Sequence, residues 1–143
     1  MALPKTESEF QLFISDFEAG TLPKSEWHHA EHVAVAFWYL SHLDEENAIN
    51  RIRSGIQNLN SKHGVSQTLT GGYHETWTIF FSKMLNLYIT QDSIKKLPFI
   101  ERMNSAIQYL TDFRNVTRQY YSRDLIMSWE ARTAWRAPDL KAV

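Results

Sequence analysis

The longest apolar run of the chain follows a cluster of histidines. In residues 27–40, WHHAEHVAVAFWYL, three histidines lie within five positions, and eight consecutive apolar residues follow from Val33 to Leu40. A helix that is hydrophobic on every side belongs in the interior of a domain. The pattern therefore predicts a central helix whose first turns place the histidines at one end of the core.

Four other segments carry apolar residues at helical spacing. Thr6 and Glu9 have the spacing of a capping box at the start of the first segment. Ser25 and Asp44 are expected to cap the central helix and the one after it, and Pro98 suits the first turn of the last. The predicted helices cover residues 6–20, about 25–42, 44–64, 73–89 and about 98–110, with a loop at 65–72.

The pattern beyond Asp112 is less regular. Residues 119–127 are expected to hold a short helix and residues 128–143 another turn or two, with regular structure ending at Pro138. No segment has the period of two that strands require, and no linker or repeat divides the chain. The sequence thus predicts an all-α protein: a single domain over residues 1–143, built as a bundle of about five main helices with a short irregular helical tail.

Two packing predictions follow from these helices. One core is expected to bury side chains of the central and fourth helices, namely Ala34, Phe37, Trp38, Trp77, Phe80, Phe81 and Met84. Gly55 weakens the interior of the third helix by up to about 1 kcal/mol relative to alanine. It is therefore interpreted as the mark of a close contact between helices.

Composition narrows the function classes. Cysteine is absent, which excludes disulfides, thiolate metal ligands and cysteine nucleophiles. The formal charge of −1 argues against a dedicated nucleic-acid binder. The first residues lack the features of a signal peptide, and no apolar run approaches the roughly 20 residues that cross a bilayer. The expectation is a cytoplasmic protein with no membrane partner, and a homo-oligomer is left open.

The histidine cluster offers one half of a candidate site. His29 and His32 are spaced i, i+3, and His28 and His32 are spaced i, i+4, so either pair shares a helical face and could bind one metal ion. In a bundle with short connections, successive helices run antiparallel. The central and fourth helices would then bring their N-termini to one end of the bundle.

The segment TGGYHETWT, residues 70–78, offers the other half, with His74 and Glu75 at the start of the fourth helix. It lacks the HExxH zinc signature because residue 78 is threonine. We hypothesise that His29, His32 and His74 bind a divalent metal such as Zn, Fe, Mn or Ni. Glu75 would act as an acid–base group. The alternatives are a metal-free acid–base pocket and histidines that are merely structural.

Positive charge is concentrated in the last third of the chain. Residues 92–143 hold nine Lys or Arg against six acids, whereas residues 1–91 hold six against ten. Arg123, and less directly Arg132, is predicted to reach the histidine end and to bind an anionic substrate group or pair with Glu75. The alternative is that the tail arginines pair with the acidic first part while their stems cover aromatic rings.

The spaced motifs also resemble those of a known family. They are WxHxxH at residues 27–32, GYHET at 72–76, YSR at 121–123, AR at 131–132 and PDL at 138–140. Together they look like a family of small bacterial all-α proteins that carries no assigned function. The resemblance favours His29 over His28 as the partner of His32 and implies no reaction. The chain departs from the family at its end, LKAV, where the family often ends in PL.

Three function classes stay open at this point. The first is a metal-dependent or His/Glu acid–base enzyme that acts on a small anionic molecule. The second is a non-catalytic module that binds a small ligand in an aromatic-lined pocket. The third is a helical interaction protein whose histidines are structural.

Overall fold

Helices make up the regular structure of residues 3–143, the part of the chain that the computed structural model describes. The α-helices are α1 (Glu7–Ala19), α2 (His29–His42), α3 (Glu45–Lys62), α4 (Glu75–Ile89), α5 (Asp92–Lys95), α6 (Phe99–Tyr109), α7 (Phe113–Tyr120), α8 (Arg123–Ile126) and α9 (Trp129–Thr133), and a 3-10 helix (Lys24–Glu26) precedes α2. Residues 3–143 contain no strand, so the all-α prediction is confirmed. None of their helices is both long and apolar enough to cross a membrane.

The predicted count of about five main helices is too low. Within residues 3–143, α5 and α8 span four residues each, α9 spans five and α7 spans eight. Such short helices have too few turns for apolar periodicity to be read from the sequence. Their ends are set instead by local caps, such as the Ser128 hydroxyl that accepts a hydrogen bond from the Ala131 amide.

The central position predicted for α2 is confirmed. This helix packs against α1, α3, α4 and α6, and it buries six of its side chains: Val33, Ala34, Val35, Phe37, Tyr39 and Leu40. It begins at His29 rather than near Ser25, because residues 24–26 form the 3-10 helix and Trp27 leaves it with φ −103° and ψ 89°. His28 is the N-cap residue of α2 and contributes no capping side-chain bond.

The caps predicted at Thr6 and Asp44 and the close contact at Gly55 are present, whereas Ser25 does not cap α2. The Thr6 hydroxyl accepts a hydrogen bond from the Glu9 amide at the start of α1. Asp44 accepts one from the Asn47 amide at the start of α3. A methyl group added at Gly55 would overlap Cε2 and Cζ of Phe17, whose ring is fully buried. The glycine therefore allows α3 to pack directly on the Phe17 ring of α1.

The prediction that side chains of the central and fourth helices share one core is wrong, because they lie in two clusters. The main cluster joins α1, α2, α3, α6 and part of α4, whereas Phe80 and Met84 belong to a second cluster with Tyr121 and Ile126. Ala34, Phe37, Phe80 and Met84 are buried as expected, whereas Trp38, Trp77 and Phe81 are only partly buried. The core divides because α4 packs against α2 on one side and against the C-terminal helices on another.

The segment after α9 has no regular secondary structure and is held on α4 and on the end of α7 by specific hydrogen bonds. The Thr76 hydroxyl donates to the Ala134 carbonyl at 2.8 Å and accepts from the Arg136 amide at 3.0 Å. The buried Tyr121 hydroxyl donates to the Arg136 carbonyl at 2.6 Å. These contacts place α9 beside the loop that leads into α4.

Candidate functional site

A cavity of about 440 Å³ lies between α2, α3, α4 and the end of α6. Its wall is mainly apolar and rich in aromatic rings: Trp27, Tyr73, Trp77, Phe81 and Phe113. His28, His29, His32 and His74 also line it, and Asn60 adds an amide. None of the described residues that line it is Lys, Arg, Asp or Glu. The size is within the usual range for small-molecule pockets.

His29, the first residue of α2, links that helix to the end of α6. Its Nε2 atom donates a hydrogen bond to the Leu110 carbonyl at 2.7 Å, and its ring stacks on Phe113 with centroids 4.2 Å apart. The carbonyls of the last helical turn lack partners within the helix, and His29 satisfies one of them. Because a carbonyl can only accept, Nε2 holds the proton and Nδ1 of the neutral ring is an acceptor.

His32 lies one turn further along α2, and its ring nitrogens make no hydrogen bond to the described residues. Its ring lies over Trp27, with centroids 4.0 Å apart and planes at 31°. Burial, and to a smaller extent the nearby His29, lowers the pKa of His32 to about 4. The imidazole is therefore neutral near pH 7 and offers one donor and one acceptor to the cavity.

Trp27 lies between the main core and His32. Its indole stacks on Phe17 with centroids 5.4 Å apart. Its Nε1 atom is buried and finds no acceptor among the described residues. An unsatisfied buried N–H costs roughly 1–3 kcal/mol, so this sealed donor is a cost to the fold and is not a group presented to the cavity.

His74 lines the same cavity, but the fold uses both of its ring nitrogens. The residue is the N-cap of α4: its Nδ1 accepts a hydrogen bond from the Trp77 amide, and its Nε2 donates to the Ile126 carbonyl at 2.7 Å. Burial, with a smaller contribution from Arg132, lowers the pKa of His74. His74 therefore lies one residue before α4 and not in its first turn as predicted. Its ring links the start of α4 to the end of α8.

Glu75 is engaged outside the cavity wall. Its two oxygens share the single Nε–H of Arg53, at 2.9 and 3.1 Å, and one of them also accepts from the Tyr73 hydroxyl. Burial raises the pKa of Glu75, but the hydrogen bonds from Arg53 and Tyr73 outweigh burial and leave the pKa lowered. The partner of Glu75 is Arg53 and not Arg123, and the carboxylate is a structural ion-pair member in this arrangement.

The two predicted arginines have different surroundings. Arg123 begins α8 and is exposed. Arg132 is buried, and its Nη1 donates to the carbonyls of Gly71 and Gly72 and, at 3.4 Å, of Tyr73. Arg132 therefore holds the loop before α4, whose last residues form part of the cavity wall, and neither arginine lines the cavity.

The predicted histidines therefore share one cavity without forming a three-ligand metal centre. Among residues 3–143, no group of three His, Cys, Asp or Glu side chains is placed to hold a metal ion. His29 has one nitrogen in use, His74 has both in use, and His32 alone has neither. Metal binding stays a prediction, and of its three predicted ligands His29 and His32 retain free ring nitrogens in this arrangement.

The sequence did not predict the aromatic wall of the cavity, in particular Trp27 and Phe113. Trp27 was singled out only as part of a motif, and Phe113 lay in a segment without a predicted helix. The signal that could have found Trp27 is its position directly before the histidines, where the chain turns into α2. No local signal pointed to Phe113, because its contact with His29 joins residues 84 positions apart.

Comparisons with protein-family models, with curated proteins and with solved structures found no match to this chain. The functional argument therefore depends on the cavity itself.

Proposed function

We propose that this protein binds a small, uncharged and mainly apolar molecule in the cavity between α2, α3 and α4. The observation that carries the proposal is the lining: aromatic and aliphatic side chains surround a volume of about 440 Å³ and no Lys, Arg, Asp or Glu is among those described there. Pockets for small molecules combine such an apolar wall with a few convergent polar groups. The rings of His29 and His32 and the amide of Asn60 supply those groups here.

Binding without catalysis is favoured over an acid–base reaction on an anion. The carboxylate of Glu75 is paired with Arg53, and His74 is saturated. A histidine whose pKa is about 4 is a weak base near neutral pH, far from the optimum for proton transfer. An anion in this cavity would also lack a cationic partner, which makes its burial costly.

A thermal-shift screen of neutral, anionic and cationic small molecules tests the proposal. A ligand at 100 times its Kd stabilises the native state by about 2.7 kcal/mol, which corresponds to a rise in Tm of roughly 5–10 °C for a chain of this size. We expect the hits to be uncharged and mainly apolar. Mainly anionic hits would contradict the proposal and return the enzyme hypothesis to first place.

Two matched variants locate the binding. Ala36 lines the cavity, so Ala36→Phe fills part of it, whereas Ala19 is exposed on α1 and Ala19→Phe leaves the cavity unchanged. Binding of each hit, measured by calorimetry on protein shown to be folded by circular dichroism, should be lost in Ala36→Phe and kept in Ala19→Phe. Equal binding by both variants would place the ligand elsewhere.

The metal hypothesis has a direct test of its own. Elemental analysis and metal titration of untagged wild type are compared with His32→Ala and His74→Ala. Because His74 has no free nitrogen, we expect wild type and His74→Ala to bind equally little Zn, Mn, Fe or Ni. Tight, stoichiometric binding that both substitutions remove would support the three-histidine centre instead.

A further inference from the structure

The cavity has a polar end and an apolar end. Unlike the sealed Nε1 of Trp27, the ring nitrogens of His32 and the side-chain amide of Asn60 keep accessible surface, and they make no hydrogen bond within the described residues. The hydroxyls of Thr78 and Ser82, by contrast, already donate to backbone carbonyls. Away from the polar end, the lining side chains of α2 and α3 are apolar: Val33, Ala36, Ile52 and Ile56.

The directions of the helices place the open polar groups at the same end. Only two residues join α2 to α3, and the two helices pack together, so they run antiparallel. The end of α3 therefore lies beside the start of α2, where His63 Nε2 donates to the Leu22 carbonyl at 2.6 Å. His32 is in the first turn of α2 and Asn60 is in the last turn of α3. Both consequently line one end of the cavity.

The cavity is elongated along the helices. Its lining residues on α3, namely Ile52, Ile56 and Asn60, are spaced i, i+4, i+8 and form one row on the helix surface. That row covers eight residue steps, or about 12 Å along the helix axis. On α4 the lining continues to Leu85, which is buried. A ligand that fills this space is therefore long, and its two ends meet different chemistry.

We propose that the ligand is an elongated amphiphile, such as a medium-chain alcohol, whose uncharged polar head lies at the His32 and Asn60 end and whose apolar tail runs towards Ala36 and Leu85. This inference rests on the proposed binding function. A hydroxyl head both donates and accepts, so it suits an imidazole nitrogen and an amide alike. A tail at that end would leave both groups unpaired. A charged head would find no opposite charge among the described lining residues.

The first test measures how affinity depends on the length and the head of the probe. Dissociation constants of 1-butanol, 1-hexanol, 1-octanol, octanoate and octylammonium for residues 1–143 are determined by NMR titration at pH 7.5. Each methylene group buried along the apolar wall should tighten binding about fourfold, so 1-octanol should bind about fifteenfold tighter than 1-hexanol. Octanoate and octylammonium should bind at least about tenfold more weakly than 1-octanol, because their charges lack partners.

A variant at each end then determines the orientation of the probe. Ala36→Val narrows the apolar end, so it should weaken 1-octanol at least about tenfold and leave 1-butanol within about twofold. His32→Leu removes a partner of the head, so it should weaken all three alcohols by the same factor of about five, the value of one hydrogen bond. A reversed ligand would exchange these two patterns.

The matched controls lie outside the cavity. Ala19→Val changes an exposed residue of α1. His42→Leu changes a histidine at the other end of α2, where the ring covers Trp38 and bonds to a backbone carbonyl of the same helix. Both controls should bind the alcohols as wild type does.

A measurement on wild type keeps the inference testable if a variant does not fold. In nuclear Overhauser spectra of the complex with 1-octanol, the protons beside the hydroxyl should contact the ring of His32. The terminal methyl group should contact the methyl groups of Ala36 or Leu85.

The outcomes separate the two proposals. Octanoate or octylammonium that binds as tightly as 1-octanol, exchanged variant patterns, or reversed contacts would overturn the inference. Uncharged compact hits from the thermal-shift screen without any binding of the alcohols would also overturn it, while the cavity remained a binding site. If no uncharged molecule binds at all, the proposed function fails as well.

Discussion

Gly55→Ala tests whether the contact between α1 and α3 is as tight as the structure shows. Alanine is a better helix former than glycine, so the substitution alone should stabilise α3 by up to about 1 kcal/mol. The new methyl group, however, would overlap Cε2 and Cζ of Phe17 and lie 3.2 Å from Cδ2. The sign of the measured change shows which effect is larger.

Steric overlap should win because Phe17 has little room to move. Its ring is fully buried, with Trp27 at 5.4 Å and Tyr39 at 6.3 Å between centroids. Overpacking in such a core costs about 1–3 kcal/mol. With two ring atoms overlapped, we expect the upper part of that range and a net loss of about 1–2 kcal/mol after the helix gain. The corresponding fall in Tm is roughly 3–8 °C.

The assay is urea unfolding followed by circular dichroism, with two controls. Ser54→Ala, at an exposed neighbouring position of α3, should be neutral or slightly stabilising. In a Phe17→Leu background, which lacks the two overlapped ring atoms, Gly55→Ala should become stabilising. If Gly55→Ala stabilises the protein with Phe17 intact, the close packing of α1 on α3 is refuted.

Three further predictions concern the core, the cavity and the tail. Phe37 is fully buried, so Phe37→Ala should lower the free energy of unfolding by about 3–5 kcal/mol; a loss below about 1 kcal/mol would mean that the side chain is not in the core. The pKa of His32 is about 4 in the native state, whereas its ordinary value is 6.5. As the pH falls, the unfolded state therefore takes up a proton before the native state does. Stability should therefore fall as the pH drops from about 6.5 to 4, by at most about 3 kcal/mol from this group, and His32→Leu should flatten that part of the profile. Arg132→Ala removes hydrogen bonds to the loop before α4 and should lower the free energy of unfolding by about 2–3 kcal/mol. Arg123 is exposed, so Arg123→Ala should change it by less than about 0.5 kcal/mol. Equal effects of the two substitutions would show that Arg132 does not hold the loop.

The local rules of the sequence determined most of the long helices. Thr6 and Asp44 predicted helix starts because their side chains bond to amides three residues away, and those bonds are present. The apolar run from Val33 to Leu40 predicted a buried central helix because no face of it suits water. Such inferences succeed because their physical causes act within one or two helical turns.

The tertiary structure decided the chemistry of the site. Three contacts of the site join residues that are far apart in the sequence. His29 bonds to Leu110 across 81 positions, Arg53 pairs with Glu75 across 22, and Arg132 bonds to the loop before α4 across about 60. Spacing placed three histidines near one end of the core, but it could not tell which ring nitrogens would be used by the fold. His74 is saturated and His32 is not, because a side chain's partners depend on which helices pack around it.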